Sequence, residues 1–315
     1  MLRLNFKIFT ATIHFHSARA VHSKISSSRI EEHQAEIMRK GLPRKKPIPG
    51  VKHIVVVASG KGGVGKSTTA VNLAVALKEV NPDKEVGLLD TDVFGPSVPL
   101  MMNLNETPLL TEDNLMVPLV NYNIKCHVGN PVCSMSMGFL IDEASPVVWR
   151  GLMVMSALSK LLYQVSWGAV DYLVVDTPPG TGDTQLSLVQ NLPLSGAVLV
   201  TTPQAAALQV TRRGAALFRK LGVPVLGVVG NMSCVACPKC SHTSQLFGSG
   251  TQQLATQLGV PVLAEVPLHP SISAGGDSGK PVVTSAPNSP QALAYKSLGK
   301  KISTALISLS NGADT

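Results

Sequence analysis

Gly60-Lys61-Gly62-Gly63-Val64-Gly65-Lys66-Ser67-Thr68 is the stretch on which the reading of this chain turns. It follows the apolar run His53-Ile-Val-Val-Val-Ala-Ser59 and precedes Thr69-Ala-Val-Asn-Leu-Ala-Val-Ala-Leu77, whose apolar residues recur at helical spacing. The pattern predicts a strand, a tight glycine-rich turn and a helix, the context a phosphate-binding loop requires. Glycines let backbone N–H groups turn inward on phosphate oxygens, and the helix that starts at the loop adds its positive end. The spacing G-x-x-x-x-G-K-S assigns Lys66 to the β- and γ-phosphates of ATP, the Ser67 hydroxyl to Mg²⁺ and Thr68 to the α-phosphate. Lys66 is expected to stand exposed in an open loop. The same spacing disfavours a dehydrogenase, whose dinucleotide turn reads G-x-G-x-x-G.

Two further apolar runs end in an acid. Glu85-Val-Gly-Leu-Leu-Asp90 leads into Thr91-Asp92 and Gly95-Pro-Ser97, and Asp171-Tyr-Leu-Val-Val-Asp176 leads into Thr177-Pro-Pro-Gly-Thr-Gly-Asp183. A carboxylate at the C-terminal end of a strand points into the crevice where α/β proteins bind ligands. Taken alone, Asp90-x-Asp92 reads equally as a turn with local capping or as a site, and downstream of a phosphate loop it becomes a candidate site; as a purely structural turn, Thr177–Asp183 would be an expensive use of two glycines and two prolines. Gly196–Thr201 and Pro224–Gly230 read as strands flanking a helix over Ala205–Lys220, and a terminal helix is expected over Ala292–Leu309. Residues 51–310 are therefore expected to form one doubly wound α/β domain with a mostly parallel sheet.

The formal charge of +8 raises the question of nucleic acid, but its location answers it. Residues 1–50 hold ten Lys and Arg against three Asp and Glu, whereas the body is nearly neutral. From Met1 to Ile30 there is no acid, and Arg3, Lys7, Arg19, Lys24 and Arg29 are spread among Ser, Thr and aliphatics, the composition of a mitochondrial transit peptide. A secretory signal is the rival, since Ala18-Arg-Ala20 has a cleavage-site form, yet Lys7, His14 and His16 interrupt its apolar core. Glu31–Lys40 reads as a short helix, and residues 31–50 as a linker. No run approaches the ~18 apolar residues of a membrane span.

Five cysteines in such a body point to metal or redox chemistry in a reducing compartment more than to a disulfide framework. Cys234-Val-Ala-Cys237-Pro-Lys-Cys240-Ser-His242 fits metal binding, dithiol chemistry or a turn. Zn²⁺ and the common Fe–S clusters take about four protein ligands, and one Cys-x-x-Cys supplies two. A second copy from a symmetric partner would complete the set, as would Cys234 and His242 in a zinc knuckle. Cys126 and Cys133 fall in a stretch expected to be a loop, with His127 as the only other ligand nearby.

The string GKGGVGKST, with its early lysine, resembles the deviant Walker A motif of the MinD/ParA, nitrogenase-reductase and Mrp-type ATPases. The resemblance implies that Lys61, otherwise a solvated loop lysine, crosses a dimer interface to the partner's nucleotide in the manner of an arginine finger. Asp90-x-Asp92 with Gly95-Pro-Ser97 is similar to switch I, which places Asp92 near Mg²⁺ and the attacking water. Asp176 is similar to a Walker B carboxylate, a direct or indirect Mg²⁺ partner, and Thr177–Asp183 to a switch II held by the γ-phosphate. Asn231-Met-Ser233 resembles the adenine-contacting turn, with Asn231 reading the base.

Ser136-Met-Gly-Phe-Leu140, Pro146-Val-Val-Trp-Arg-Gly151 and Cys-Pro-x-Cys after Asn-Met-Ser extend the likeness to the Mrp/nucleotide-binding-protein family from Gly41 to Pro281. In that family Cys237 and Cys240 would bridge a 4Fe–4S cluster between two subunits. The leader, Gly41-Leu-Pro43 and Pro47-Ile-Pro-Gly-Val-Lys52 are similar to its mitochondrial branch, which serves complex I assembly. What the resemblance implies is a homodimeric, weakly hydrolysing ATPase of the mitochondrial matrix that passes 4Fe–4S clusters to apo-proteins, without nucleic acid and without stable membrane insertion. Three features depart from the pattern: about eight extra residues between Ile124 and Met135, and Ala205 and Val210 where the family usually has acids. The rival classes are a ParA/MinD-type positioning switch without cluster chemistry and the same fold with a structural zinc.

Overall fold

The computed structural model describes residues 45–93, 95–121, 132–140, 151–237, 239–240 and 242–313. The expected leader, the helix over Glu31–Lys40, Cys126 with most of the extra segment, and Pro146–Arg150 lie outside the described residues.

The run ahead of the glycine loop is strand β1 (Val51–Ser59), and the run after it is helix α1 (Lys66–Val80). Then come β2 (Val86–Asp90), the one-turn α2 (Val98–Met101), β3 (Leu119–Val120), β4 (Cys133–Ser136), α3 (Gly151–Tyr163) and β5 (Val170–Asp176). The second half holds α4 (Asp183–Asn191), β6 (Gly196–Thr201), α5 (Ala205–Lys220), β7 (Val225–Asn231), the hairpin strands β8 (Val235–Ala236) and β9 (Thr243–Ser244), α6 (Gly250–Leu258) and β10 (Val262–Val266). It closes with α7 (Pro270–Asp277), α8 (Val282–Ser285) and α9 (Pro290–Ala313).

The sheet runs β10-β7-β6-β1-β5-β2-β4-β3, parallel throughout except for the edge pair β3–β4. β1 reads as a continuous apolar run because both faces of a central parallel strand are covered. Val55 and Val57 point into the core under α1 and α9, while Ile54, Val56 and Ala58 point into the core formed with α3, α4, α5 and α6. The terminal helix packs on the sheet as expected, with Tyr295, Leu298, Ile302 and Leu306 fully buried. Among the described residues no helix is long and apolar enough to cross a membrane.

Two expectations are corrected. Cys133 is not in a loop: it opens β4, pairs in parallel with Gly87 and is half-buried, and burial raises its thiol pKa. And part of the expected linker packs on the domain, since Ile48 is buried and the Lys46 amide donates to the Asn191 carbonyl.

The parallel register decides what meets at the top of the sheet. Asp90 lies directly beside Asp176, and Val57 pairs with Asp176 from the other side, so the loops after β1, β2 and β5 leave side by side. The acids that the sequence spaces far apart thus come to one crevice.

Candidate functional site

The glycine loop turns where Gly63 and Gly65 take positive φ, 77° and 83°, the second as N-cap of α1. A Cβ at Gly65 would also lie 2.1 Å from Asn231 Nδ2, so position 65 is closed to side chains both by backbone conformation and by space. Gly65→Ala should destabilise the fold by at least about 1–2 kcal/mol, the cost of a left-handed L-residue. Equal melting temperatures of variant and wild type in thermal unfolding would refute that. Gly60 is required for a different reason: a Cβ there would lie 2.6 Å from the backbone of Val210 on α5.

Lys66 is not exposed, contrary to expectation. It is 6% accessible because it opens α1 against the end of β5, where its ammonium meets Asp176 Oδ1 at 2.6 Å, Ser67 Oγ at 3.0 Å and Asp92 Oδ2 at 3.8 Å. Burial lifts the Asp176 carboxyl above the usual carboxylate range, against the pull of Lys66 and of the Ser67 hydroxyl. The other Asp176 oxygen, Oδ2, is buried without a hydrogen-bond partner. A buried, unpaired acceptor costs roughly 1–3 kcal/mol, which a cation in the crevice would recover. Ser67, Asp92 and Asp176 offer oxygen donors only, the set that suits Mg²⁺.

Lys61 is exposed at the mouth of the loop, its carbonyl accepting from Ser59 Oγ at 3.0 Å. A cavity of about 230 Å³ over the loop is lined by Lys61, Gly62, Gly63, Lys66, Ser67 and Asp92, among others. It adjoins a second of about 410 Å³ that shares Gly63, Gly65, Thr68 and Met101 and continues to Asn231, Met232, Pro267 and α7. The dimensions suit phosphates in the first and a nucleoside in the second. Asn231 lines the second cavity, but its amide nitrogen is already committed to the Val64 carbonyl at 2.8 Å. That bond ties β7 to the phosphate loop.

Asp90 is legible in the sequence as a strand-end acid, but its own role is not. Its Oδ1 accepts from the Asp92 amide, and its Oδ2 accepts from the amides of Ser97 and Val98 and from the Ser136 hydroxyl. Burial, together with neighbouring Asp176, pushes its carboxyl up to about 7. It holds the turn that carries Asp92 to the helix that lines the phosphate cavity. The acid at a strand end is visible in sequence; the contact with Ser136, 46 residues away, is not.

Beyond Asn231 the chain turns through Met232, at φ 55°, into the β8–β9 hairpin. Cys237 opens its loop, its amide bonded to the His242 carbonyl at 2.9 Å. Backbone N–H groups of Cys240 and Lys239 donate to the Cys237 sulfur and hold its thiol below the usual range. Cys237 is half-buried and Cys240 exposed. Among the described residues no group of three or more His, Cys, Asp and Glu stands close enough to hold a metal, so Cys234 and His242 do not gather with the central pair into a knuckle.

These features meet known proteins. The family described as "ParA: NUBPL iron-transfer P-loop NTPase" matches residues 50–303. The chain is 56% identical to the mouse (Mus musculus) "Iron-sulfur cluster transfer protein NUBPL" across 88% of its own length and 84% of that protein's. It is 51% identical to the Arabidopsis thaliana "Iron-sulfur protein required for NADH dehydrogenase, mitochondrial" across 84% and 82%. Among solved structures it resembles an Archaeoglobus fulgidus nucleotide-binding protein in complex with ADP, at a TM-score of 0.63 and 31% identity, covering 74% of this chain and 88% of that one. A deviant phosphate loop, two strand-end carboxylates and a two-cysteine hairpin on the strand that ties the loop are thus assembled on a matching fold, and the chain belongs to the NUBPL iron-transfer P-loop NTPase family.

Proposed function

We propose that this protein is an ATP-dependent carrier of iron–sulfur clusters. It takes a 4Fe–4S cluster between two copies of itself and passes it to apo-proteins in the mitochondrial matrix, those of NADH dehydrogenase among them. The observation that carries the reading is the hairpin: two thiols, one lowered in pKa by backbone N–H groups, stand at the surface on the chain that leaves Asn231, which itself holds the phosphate loop. The names of the relatives, that of the Arabidopsis protein mitochondrial, agree with it.

Lys66 binds the terminal phosphates once they draw it from Asp176, and Thr68 and the loop amides take the rest of the chain of phosphates. Ser67, Asp92 and Asp176 would hold Mg²⁺, which when bound neutralises charge developing on the transferred phosphoryl group. Asp92 orients the attacking water, and Asp90 keeps Asp92 in place. Cys237 and Cys240 supply two thiolates, half of what a shared cluster takes, and a second copy supplies the others. Residues 1–30 are the segment that directs import and is then removed.

Lys61 provides a first test. Lys61→Ala should keep ATP affinity, because the cation that faces the phosphates within one copy is Lys66, yet slow hydrolysis by at least about tenfold. Trans-acting arginines are worth ~10³–10⁵ in faster enzymes. Equal single-turnover rates for variant and wild type would remove the cross-dimer role. The carrier reading itself is tested by transfer: reconstituted protein should restore an apo 4Fe–4S enzyme faster with ATP than with ADP. A protein that instead binds DNA or anionic vesicles in low salt, and transfers nothing, is a positioning switch.

A further inference from the structure

Between Asp183 and Glu265 the chain holds no aspartate or glutamate, while it holds Arg212, Arg213, Arg219, Lys220 and Lys239. That stretch builds β6, α5, β7, the cysteine hairpin and α6, at the end of the sheet where the order runs β10-β7-β6. The two helices that cover one face of this end, α5 and α6, therefore carry four cations and no acid, although the body as a whole is nearly neutral. All four stand on α5.

Helix α5 buries Leu208, Thr211, Gly214, Ala215 and Phe218 and turns Arg212, Arg213, Arg219 and Lys220 outward, each of them exposed. Arg212 and Arg219 lie seven residues apart, as do Arg213 and Lys220, so they form two rows about 10.5 Å long on one helix face. Arg212 Nε donates to Gln257 Oε1 at 2.9 Å, and an Arg219 guanidinium N–H donates to the Leu258 carbonyl. Helix α6 thus holds the first row in place while most of its N–H donors stay open to solvent. The ion pairs between described residues belong to Lys52, Lys66, Lys78, Lys84 and Lys296, and none belongs to these four. The helix dipole accounts for Arg219 and Lys220 in the last turn. It does not account for Arg212 and Arg213 in the middle, nor for the missing acids.

We infer that the exposed face of α5 is a docking surface for an acidic helix of another protein, laid along α5 with its carboxylates on the two rows of cations. Residues seven apart share one face of a helix, so carboxylates repeated every two turns on the partner meet each pair in turn. The arginine fork takes a carboxylate through two parallel hydrogen bonds. Ala216, exposed between the pairs, leaves room for a second helix to come close. A second copy of this chain does not fit, because symmetric pairing would set cations on cations. A membrane asks for large apolar anchors, and none of the exposed large apolar side chains among the described residues lies on α5. Nucleic acid is held by ~6–10 phosphate contacts, more than two short rows supply. The inference goes beyond the carrier reading and does not depend on the cluster.

The test uses full-length protein and a fluorescein-labelled, alanine-rich helical peptide with glutamate pairs repeated every seven residues, followed by anisotropy, with a lysine-for-glutamate peptide as control. The glutamate peptide should bind wild type and the lysine peptide should not. Arg213→Glu with Lys220→Glu should weaken binding at least about tenfold, since two exposed pairs, each worth up to about fivefold, give way to repulsion. Lys280→Glu with Lys300→Glu changes the net charge equally at exposed positions off α5 and should leave binding unchanged. Absence of binding to wild type, or equal losses for the two reversals, would overturn the inference. So would a DNA duplex or phosphatidylserine vesicles that bind more tightly than the peptide and lose that binding in Arg213→Glu with Lys220→Glu. Dispersal of the dimer by that reversal in sedimentation would overturn it too, because the face would then serve a second copy. Iron content measured on the same preparations separates this from the carrier reading. A wild type that holds iron but takes no peptide counts against the α5 face alone, whereas one that takes the peptide but never holds iron counts against the carrier alone.

Discussion

Lys66→Ala should lower ATP affinity by about ten- to a hundredfold, the scale of hydrogen bonds to charged groups, and should also lower stability. The second effect follows from the 2.6 Å contact with Asp176, whose carboxylate is fully buried. Removing one partner of a buried pair leaves an uncompensated charge and costs roughly 3–5 kcal/mol. The loss has a pH dependence with a definite sign. Burial already raises the Asp176 pKa in the folded state, and Lys66 is the main influence holding it down. Without Lys66, folded protein binds a proton more readily than the unfolded chain, whose carboxyl titrates near about 4. The unfolded chain is common to both proteins, so the stability gap widens as pH rises through the raised folded-state range of Asp176, where wild type ionises beside Lys66 while the variant stays protonated, and it is smallest below that range. Calorimetric titration with ATP and melting curves at pH 5 and pH 8 check both effects. Unchanged affinity, or a stability gap that narrows with rising pH, would contradict them.

The stability effect is invisible in the sequence, where Lys66 reads as an open-loop residue, and it marks where sequence reading ends. The order of strands and helices is legible because each parallel strand is a short apolar run and each phosphate or switch loop carries glycine or proline. GKGGVGKST and the strand-end acids Asp90 and Asp176 suffice to locate the crevice. What cannot be read is contact across the sheet. The β2–β5 register sets Asp90 beside Asp176, and the end of β5 draws Lys66 inward; neither follows from residues that lie 86 or 110 positions apart in the chain. Nor does the sequence show that the Asn231 amide bonds the Val64 carbonyl, 167 residues away. Cys133 reads as a loop cysteine because the four-residue β4 is too short to show a period.

Cys237→Ser or Cys240→Ser should abolish iron binding. Each copy is left with one thiolate, so a dimer offers two where a cluster takes about four. Cluster-dependent dimerisation should disappear with the iron, while ATP affinity stays, because neither cysteine lines the nucleotide cavities. Cys133→Ser should leave iron nearly unchanged, since that thiol lies half-buried in the sheet with a raised pKa. Cys234→Ser and Cys126→Ser should do the same. A zinc knuckle would behave differently: its metal would depend on Cys234 and His242 as strongly as on the central pair. Iron content and sedimentation across these variants separate the patterns, and iron retained in Cys240→Ser would exclude the shared cluster.

The most direct test is the metal content of the unaltered protein, reconstituted anaerobically with iron and sulfide and run in sedimentation with its visible absorption recorded. A cluster held between two copies by Cys237 and Cys240 predicts about four iron atoms per dimer, broad absorption in the visible that sediments with the dimer, and a monomer once the cluster is removed. One zinc per monomer, without visible absorption and without a change of assembly, would contradict it.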